Sequence, residues 1–148
     1  MQKQEKKTVR LVRIRPSVVD TMVMVGVEIV DKEVDFSQDD LSMLDFYYEH
    51  TECDCIDIVS FGGLYNPNGF TVVCDDEGLL KSGNVVMKYA LPIDDELCEL
   101  KLSGSILIGK SDYVEGREDD GLYEVGLTDE QLDYIQENLQ IKLLGVTK

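Results

Sequence analysis

Alternating apolar and polar positions near the start of the chain predict two β-strands, at residues 8–16 and 21–30. Both segments are rich in β-branched residues, which favour the extended conformation. Pro16 ends the first strand or marks a sheet edge. One face of the second segment is entirely apolar and consists of Val23, Val25, Val27 and Ile29.

Further strands are predicted along the rest of the chain. Residues 54–61 and 70–74 suit a hairpin, because the segment between them, GGLYNPNGF, is rich in glycine and asparagine. Three more segments are candidates: 84–92 as a strand or extended segment, 93–109 with a buried strand at SILIG, and 140–148 as a short strand or frayed tail.

A first helix is predicted at residues 35–50. Ser37 and Asp40 have the spacing of a capping box, in which each side chain accepts a hydrogen bond from the backbone N–H of the other residue. The apolar stripe expected to face the core is Leu41, Leu44 and Tyr48.

A second helix is predicted at residues 128–139, where Thr128 and Gln131 form a capping box. Its core-facing stripe is Leu132, Ile135 and Leu139.

Strands outnumber helices, and several of the turns between strands are short. We therefore predict an α+β fold, a mostly antiparallel β-sheet with two helices packed on one face. The length of 148 residues fits one domain spanning 1–148, with residues 1–7 disordered and residues 110–126 an acidic loop. The oligomeric state stays open, since the apolar strands at 21–30 and 100–108 suit either pairing across a dimer or a closed sheet within one monomer.

The charge is strongly and unevenly negative. Thirty acids and fourteen bases give a formal net charge of −16. Residues 1–16 carry six bases and one acid, so the rest of the chain is more acidic still. Such a field repels phosphate backbones, which argues against direct nucleic-acid binding, and attracts basic proteins. The alternative interpretation is that the acidity only keeps the protein soluble.

Targeting segments are not evident. The first 16 residues have no apolar core of a secretory signal, and the run 21–30 is too short to span a bilayer. We therefore expect a cytoplasmic protein without a membrane partner. In that compartment the four cysteines should be free thiols.

The segment HTECDCIDIVSF, residues 50–61, raises the question of a metal or redox site. It holds the single histidine and a C-x-C pair, but Cys74 and Cys98 are far apart in sequence, whereas structural zinc sites use two close pairs of ligands. The redox C-x-x-C motif is also missing. We interpret the segment as an ordinary strand and expect neither a metal nor a cofactor.

Catalytic motifs are likewise missing from the sequence. One histidine at a helix end is weak support for a nucleophile and base, and no phosphate-binding glycine motif occurs. With thirty acids, close carboxylate pairs arise by chance. The sequence therefore predicts a protein that is not an enzyme.

Acidic clusters in predicted turns are the main candidates for function. If loops held by a sheet bring such clusters together, they form a rigid anionic face that mimics nucleic acid. The alternative is a set of separate solubility patches. The residues of the predicted partner-binding face are Asp75, Asp76, Glu77, Asp94, Asp95, Glu96, Glu118, Asp119 and Asp120.

Between residues 54 and 139 four motifs follow one another: CIDIVSF, FTVVCDDEGLLKSG, LSGSILIG and LTDEQLDYIQENL. Their order resembles a family of small proteins encoded by phages and conjugative elements, known as a domain of unknown function. The matching positions are Ile56, Asp57 and Val59; Asp75, Asp76, Glu77, Gly78 and Leu80; Ser103, Gly104 and Ser105; and Thr128. In this chain Cys53 and Asp54 replace the family's glycine pair, and Leu79 replaces its lysine.

The resemblance implies a mobile-element setting but no settled activity. By analogy with acidic anti-restriction and anti-CRISPR proteins, we expect an inhibitor of a host nucleic-acid-handling defence protein, acting through an anionic, DNA-mimic-like face. The alternative is a protein that sequesters a small signalling nucleotide, with Arg10, Arg13 and Arg15 as the bases that would hold it.

Overall fold

The structure is a computed structural model that describes residues 6–35, 42–63, 65–112 and 123–147. Its described part contains two α-helices, neither of which is long and apolar enough to cross a membrane. The elements in chain order are β1 (Lys6–Val19), β2 (Met22–Asp35), α1 (Ser42–Thr51), β3 (Ile56–Phe61), β4 (Phe70–Asp75), a 3-10 helix (Gly78–Leu80), β5 (Val85–Ile93), β6 (Glu96–Ser103), β7 (Ile106–Gly109), β8 (Ser111–Asp112), β9 (Tyr123–Glu124), α2 (Asp129–Asn138) and β10 (Gln140–Val146).

The strands form two main sheets and one short ribbon. The five-stranded sheet has the order β2-β1-β7-β4-β3, and the three-stranded sheet has the order β10-β5-β6. The ribbon is β8-β9, and all the strand pairs are antiparallel. This confirms the predicted α+β fold with a mostly antiparallel sheet.

The central strands of the five-stranded sheet are buried on both faces. One face carries Val12 and Ile14 of β1, which belong to a cluster with β5 of the second sheet and with Leu132 and Ile135 of α2. The opposite face packs against α1. The prediction that both helices lie on one face was wrong, because α2 and α1 pack on opposite faces of this sheet. The central strands β4 and β7 are apolar on both sides, so each face needs its own cover.

Helix α1 packs with different residues than the predicted stripe. Leu44 is 43% exposed, whereas Phe46 and Tyr47 are buried against the sheet. Two adjacent aromatic rings remove more apolar surface from water than one leucine, so they set the rotation of the helix. Leu41 and the capping box predicted at Ser37 and Asp40 lie outside the described residues.

Helix α2 begins as predicted. The backbone N–H of Gln131 donates to Oγ1 of Thr128 (3.2 Å), and the N–H of Thr128 donates to Oε1 of Gln131 (2.8 Å), which closes the capping box. Leu132 and Ile135 are buried. Leu139 is partly buried against the same core, and the segment after it is a true strand, β10.

Three other expectations concern the ends and connections. Lys6 and Lys7 belong to β1, so the segment predicted to be disordered, 1–7, extends too far. The predicted acidic loop 110–126 contains β8 and β9 near its ends, and residues 113–122 lie outside the description. The apolar residues at 100–108 fall in β6, an edge strand of the three-stranded sheet, and in β7, which is paired on both sides within the chain; β2 is an edge strand of the five-stranded sheet.

Candidate functional site

The hairpin joining β5 to β6 carries two acids at its tip. Ile93 pairs with Glu96, so the turn consists of Asp94 and Asp95 alone. Their φ angles are 51° and 66°, the left-handed conformation that a two-residue hairpin turn of type I′ requires at both positions. Aspartate tolerates this conformation better than most residues, so the turn fixes both carboxylates in place.

The carboxylate of Asp94 is held on both oxygens by the loop that joins β3 to β4. Nδ2 of Asn66 donates to Oδ2, and Nδ2 of Asn68 donates to Oδ1, each at 2.7 Å. The hydrogen bonds from Asn66 and Asn68 lower the pKa of Asp94 below its ordinary value, because they favour the charged form. The carboxylate is therefore ionised and oriented at neutral pH.

Helix α2 brings a further acid to the same end of the molecule. The ring of Tyr134 stacks on Phe70, with centroids 6.4 Å apart and planes 14° apart, and its hydroxyl donates to the carbonyl of Pro92. These contacts dock α2 beside the end of β5. Glu130 and Asp94 consequently line one shallow cavity of about 410 Å³.

The cavity combines negative charge with apolar walls. Phe70, Ile93 and Tyr134 supply apolar surface, and the carboxylates of Asp94 and Glu130 supply charge. This combination suits the side chain of a lysine or arginine, whose aliphatic stem packs on apolar groups while its cation meets a carboxylate or an aromatic face. We call the residues Asp94, Asp95, Glu96 and Glu130 the Asp94 surface.

The cluster at Asp75, Asp76 and Glu77 lies elsewhere. Asp75 ends β4, whereas the loop that holds Asp94 precedes Phe70 at the start of that strand. Five residue steps along a strand span about 17 Å, so the two clusters lie at opposite ends of β4. The side chain of Asp75 is only 6% exposed; it is bonded to Nζ of Lys81 (2.6 Å) and to the N–H of Glu77 (2.9 Å), so it stabilises its own turn.

The structure thus separates the predicted acidic face into parts. Asp94, Asp95 and Glu96 are exposed together, and Asp76 and Glu77 are exposed at the other end of β4. Glu118, Asp119 and Asp120 lie outside the described residues.

The basic residues near the N-terminus are engaged within the chain. Each arginine forms an ion pair: Arg10 with Asp129 (2.8 Å), Arg13 with Glu28 (3.0 Å) and Arg15 with Glu52 (3.0 Å). Nε of Arg13 also donates to the carbonyl of His50 (2.9 Å). The positive charges that an anionic ligand would need are therefore already compensated by acids of the same chain.

The four cysteines are free thiols. Cys53 is buried with its Sγ 3.1 Å from Oγ1 of Thr51, and burial raises the pKa of Cys74 to about 12, so that thiol stays protonated. Among the residues that the structure describes, no group of three His, Cys, Asp or Glu side chains is placed to hold a metal ion.

A buried lysine supports the loop behind the Asp94 surface. Nζ of Lys110 donates to the carbonyls of Asn66 (3.0 Å), Pro67 (2.9 Å) and Gly69 (2.6 Å). Because the same loop supplies the two amides that hold Asp94, Lys110 positions the carboxylate from beneath.

A buried carboxyl lies on the other side of Lys110. Glu124 accepts hydrogen bonds from the backbone N–H groups of Lys110 (2.8 Å) and Gly126 (3.0 Å) and from the hydroxyl of Tyr47 (3.3 Å). Burial raises the pKa of Glu124 to about 7 despite these donors. Gly109 is required beside it, since a side chain there would overlap the carboxyl.

Glu130, Lys110 and Glu124 were missed by sequence reasoning. Glu130 is 36 positions from Asp94 and looks like any acid in a first helical turn. Lys110 and Glu124 occur in a polar, glycine-containing stretch where charged residues are usually exposed. No sequence signal distinguishes them.

Comparison with known proteins found no match: no protein-family model, no curated protein and no solved structure is significantly similar to this chain.

Proposed function

We propose that this chain is a non-enzymatic binding protein that holds a basic protein partner at the Asp94 surface. The observation that carries the proposal is the pair of hydrogen bonds from Asn66 and Asn68 to Asp94, which orient an ionised carboxylate beside Glu130 over an apolar cavity. A charge that is already oriented loses less entropy when it binds than a free surface carboxylate does.

The partner class follows from the sign and amount of charge. A protein of net charge −16 attracts basic surfaces over a distance, and the most basic protein surfaces are those built to hold nucleic acid. In our proposal the chain occupies such a surface on a host defence protein of a bacterium, as an anti-restriction or anti-CRISPR type of inhibitor from a phage or mobile element. It would act in the cytoplasm of the host cell.

The test uses a matched pair of charge reversals. One variant carries Asp95→Lys, Glu96→Lys and Glu130→Lys, and the control carries Asp54→Lys, Asp76→Lys and Glu77→Lys. All six acids are exposed, and both variants change the net charge by the same amount. The probe is a labelled arginine-rich peptide titrated at low and high salt.

We expect the first variant to bind the peptide about tenfold or more weakly, and the control to bind within about threefold of the original chain. Equal losses in both variants would show that only net charge matters and would overturn the assignment of the surface. A pull-down from bacterial lysate with the same two variants as bait then identifies the partner.

A further inference from the structure

The β1-β2 hairpin leaves a long apolar strand edge open. β2 is the outer strand of the five-stranded sheet, and its residues from Met22 to Val27 carry no charge. Met22, Val27 and Ile29 are 67%, 60% and 59% exposed. Soluble proteins normally protect an edge of this kind with charges, prolines or a covering element, because its free N–H and C=O groups pair with other strands.

The apolar row of β2 faces the core side of the sheet. Ile29 pairs with Val12, and Val27 pairs with Ile14. Since directly opposite residues point to the same face, Val27 and Ile29 continue the surface formed by the buried residues Val12 and Ile14. The second sheet does not reach far enough to cover them.

The uncovered row forms one wall of an apolar groove. The other wall comes from α2 and β10, and the groove has a volume of about 530 Å³. Its apolar lining includes Val27 and Ile29 on one wall and Ile135, Leu139 and Ile141 on the other. β10 is itself the edge strand of the second sheet, so both sheets end on this side of the molecule.

The far end of the β1-β2 hairpin has little support of its own. β1 pairs with β7 only from Val12 to Ile14, whereas the pairing of β1 with β2 continues to Val19 and Met22. An isolated two-stranded hairpin is marginally stable in water. An additional strand beside β2 would stabilise this projecting end.

Gly26 is not explained by the monomer. It lies in the middle of β2, has no left-handed backbone angle, and a side chain there would meet only the carbonyl oxygen of Arg15 at 3.7 Å. A glycine weakens a strand interior, and it often marks a place where another backbone approaches closely.

We propose that β2 pairs antiparallel with β2 of a second copy of this chain, about a two-fold axis at Gly26. Residues whose numbers add up to 52 then lie opposite each other. Val25 faces Val27, and Val23 faces Ile29. The pairing joins two apolar rows and has glycine at its centre.

The charge distribution favours a second copy at this side of a chain that is otherwise strongly acidic. β1, β2 and β10 together carry seven bases and four acids, so these three strands are net positive in a chain of net charge −16. The two-fold rotation that pairs the β2 strands also turns the β10 edges of the two second sheets toward each other. In this register the paired stretch runs over residues 22–30 of each copy and is about 26 Å long.

The first test measures mass by sedimentation of the full chain. We expect the mass of a dimer. Val27→Lys should give a monomer or raise the dissociation constant of the dimer at least about tenfold, because pairing would remove water from a lysine on the apolar row. Leu80→Lys is the control, because Leu80 is 86% exposed and lies on the 3-10 helix. A monomer at every accessible concentration overturns the proposal, and so does a dimer that Val27→Lys does not weaken.

The second test determines the register by cross-linking. In a chain with Cys55→Ser and Cys98→Ser, Gly26→Cys places two cysteines opposite each other, at a Cα separation that a disulfide can bridge. We expect a covalent dimer on mild oxidation. Met22→Cys alone should not cross-link, whereas Met22→Cys with Val30→Cys should. Cross-linking of Met22→Cys but not of Gly26→Cys would overturn the proposed axis.

Discussion

The hydroxyl of Tyr47 donates a hydrogen bond to Oε1 of Glu124 over 3.3 Å, linking α1 to a buried carboxyl of β9. Glu124 also binds the backbone of Lys110, whose side chain holds the loop behind Asp94. Three residues far apart in sequence thus connect the α1 side of the sheet to the Asp94 surface.

Glu124 should make stability depend on pH near neutrality. Its pKa is raised from 4.5 to about 7 in the folded chain, so the folded state binds the proton more tightly than the unfolded state. The stabilisation is complete below about pH 4.5 and is lost as pH rises through about 7, by up to about 3 kcal/mol.

The measurement is urea unfolding between pH 5 and pH 8 for the original chain and for Glu124→Gln. Since glutamine does not titrate, the difference between the two free energies of unfolding should change across this range. Parallel curves for the two proteins would contradict the assignment of the titration to Glu124.

Removing the donor on Tyr47 should destabilise the chain and shift this titration. In Tyr47→Phe the ionised carboxyl loses one hydrogen bond, so we expect a loss of about 1 kcal/mol at pH 8 and a further rise in the pKa of Glu124. Tyr65→Phe is the control, because Tyr65 is exposed. A stability loss in Tyr47→Phe that is the same at pH 5 and pH 8 would argue that the hydroxyl acts only through packing.

Lys110→Met should destabilise the chain and loosen the Asp94 surface together. Three carbonyls lose their shared donor, which costs about 2 kcal/mol or more in the free energy of unfolding. Lys101→Met, at an exposed position on β6, should cost less than about 0.5 kcal/mol. Hydrogen exchange of the amides at 65–69 reads out the loop, and unchanged exchange in Lys110→Met would refute the positioning role.

Thr128→Ala should cost about 1 kcal/mol, because the first turn of α2 loses the acceptor for the N–H of Gln131. Gln131→Ala removes the reciprocal bond, and the two losses should not add, since each bond orients the other. Strictly additive losses in chemical unfolding would mean that the two bonds act independently.

Several elements could be predicted from local sequence. The capping box at Thr128 and Gln131 places its donors and acceptors within four residues, so it forms wherever the helix does. The apolar row of β2 and the hairpin around residues 62–69 likewise follow from alternation and turn residues. These features depend on neighbours in the chain, which a sequence displays directly.

What the tertiary structure decided is which distant side chains meet. The sequence by itself determined an acidic, mostly antiparallel α+β protein with loops rich in carboxylates. Only the fold placed Asp94 beside Glu130, separated both from Asp75, and buried Glu124 and Lys110, which occur in a polar stretch of the sequence. The reason is physical: hydrogen bonds and burial act over a few ångströms in space, and the packing of sheets and helices, rather than spacing along the chain, determines which groups come that close.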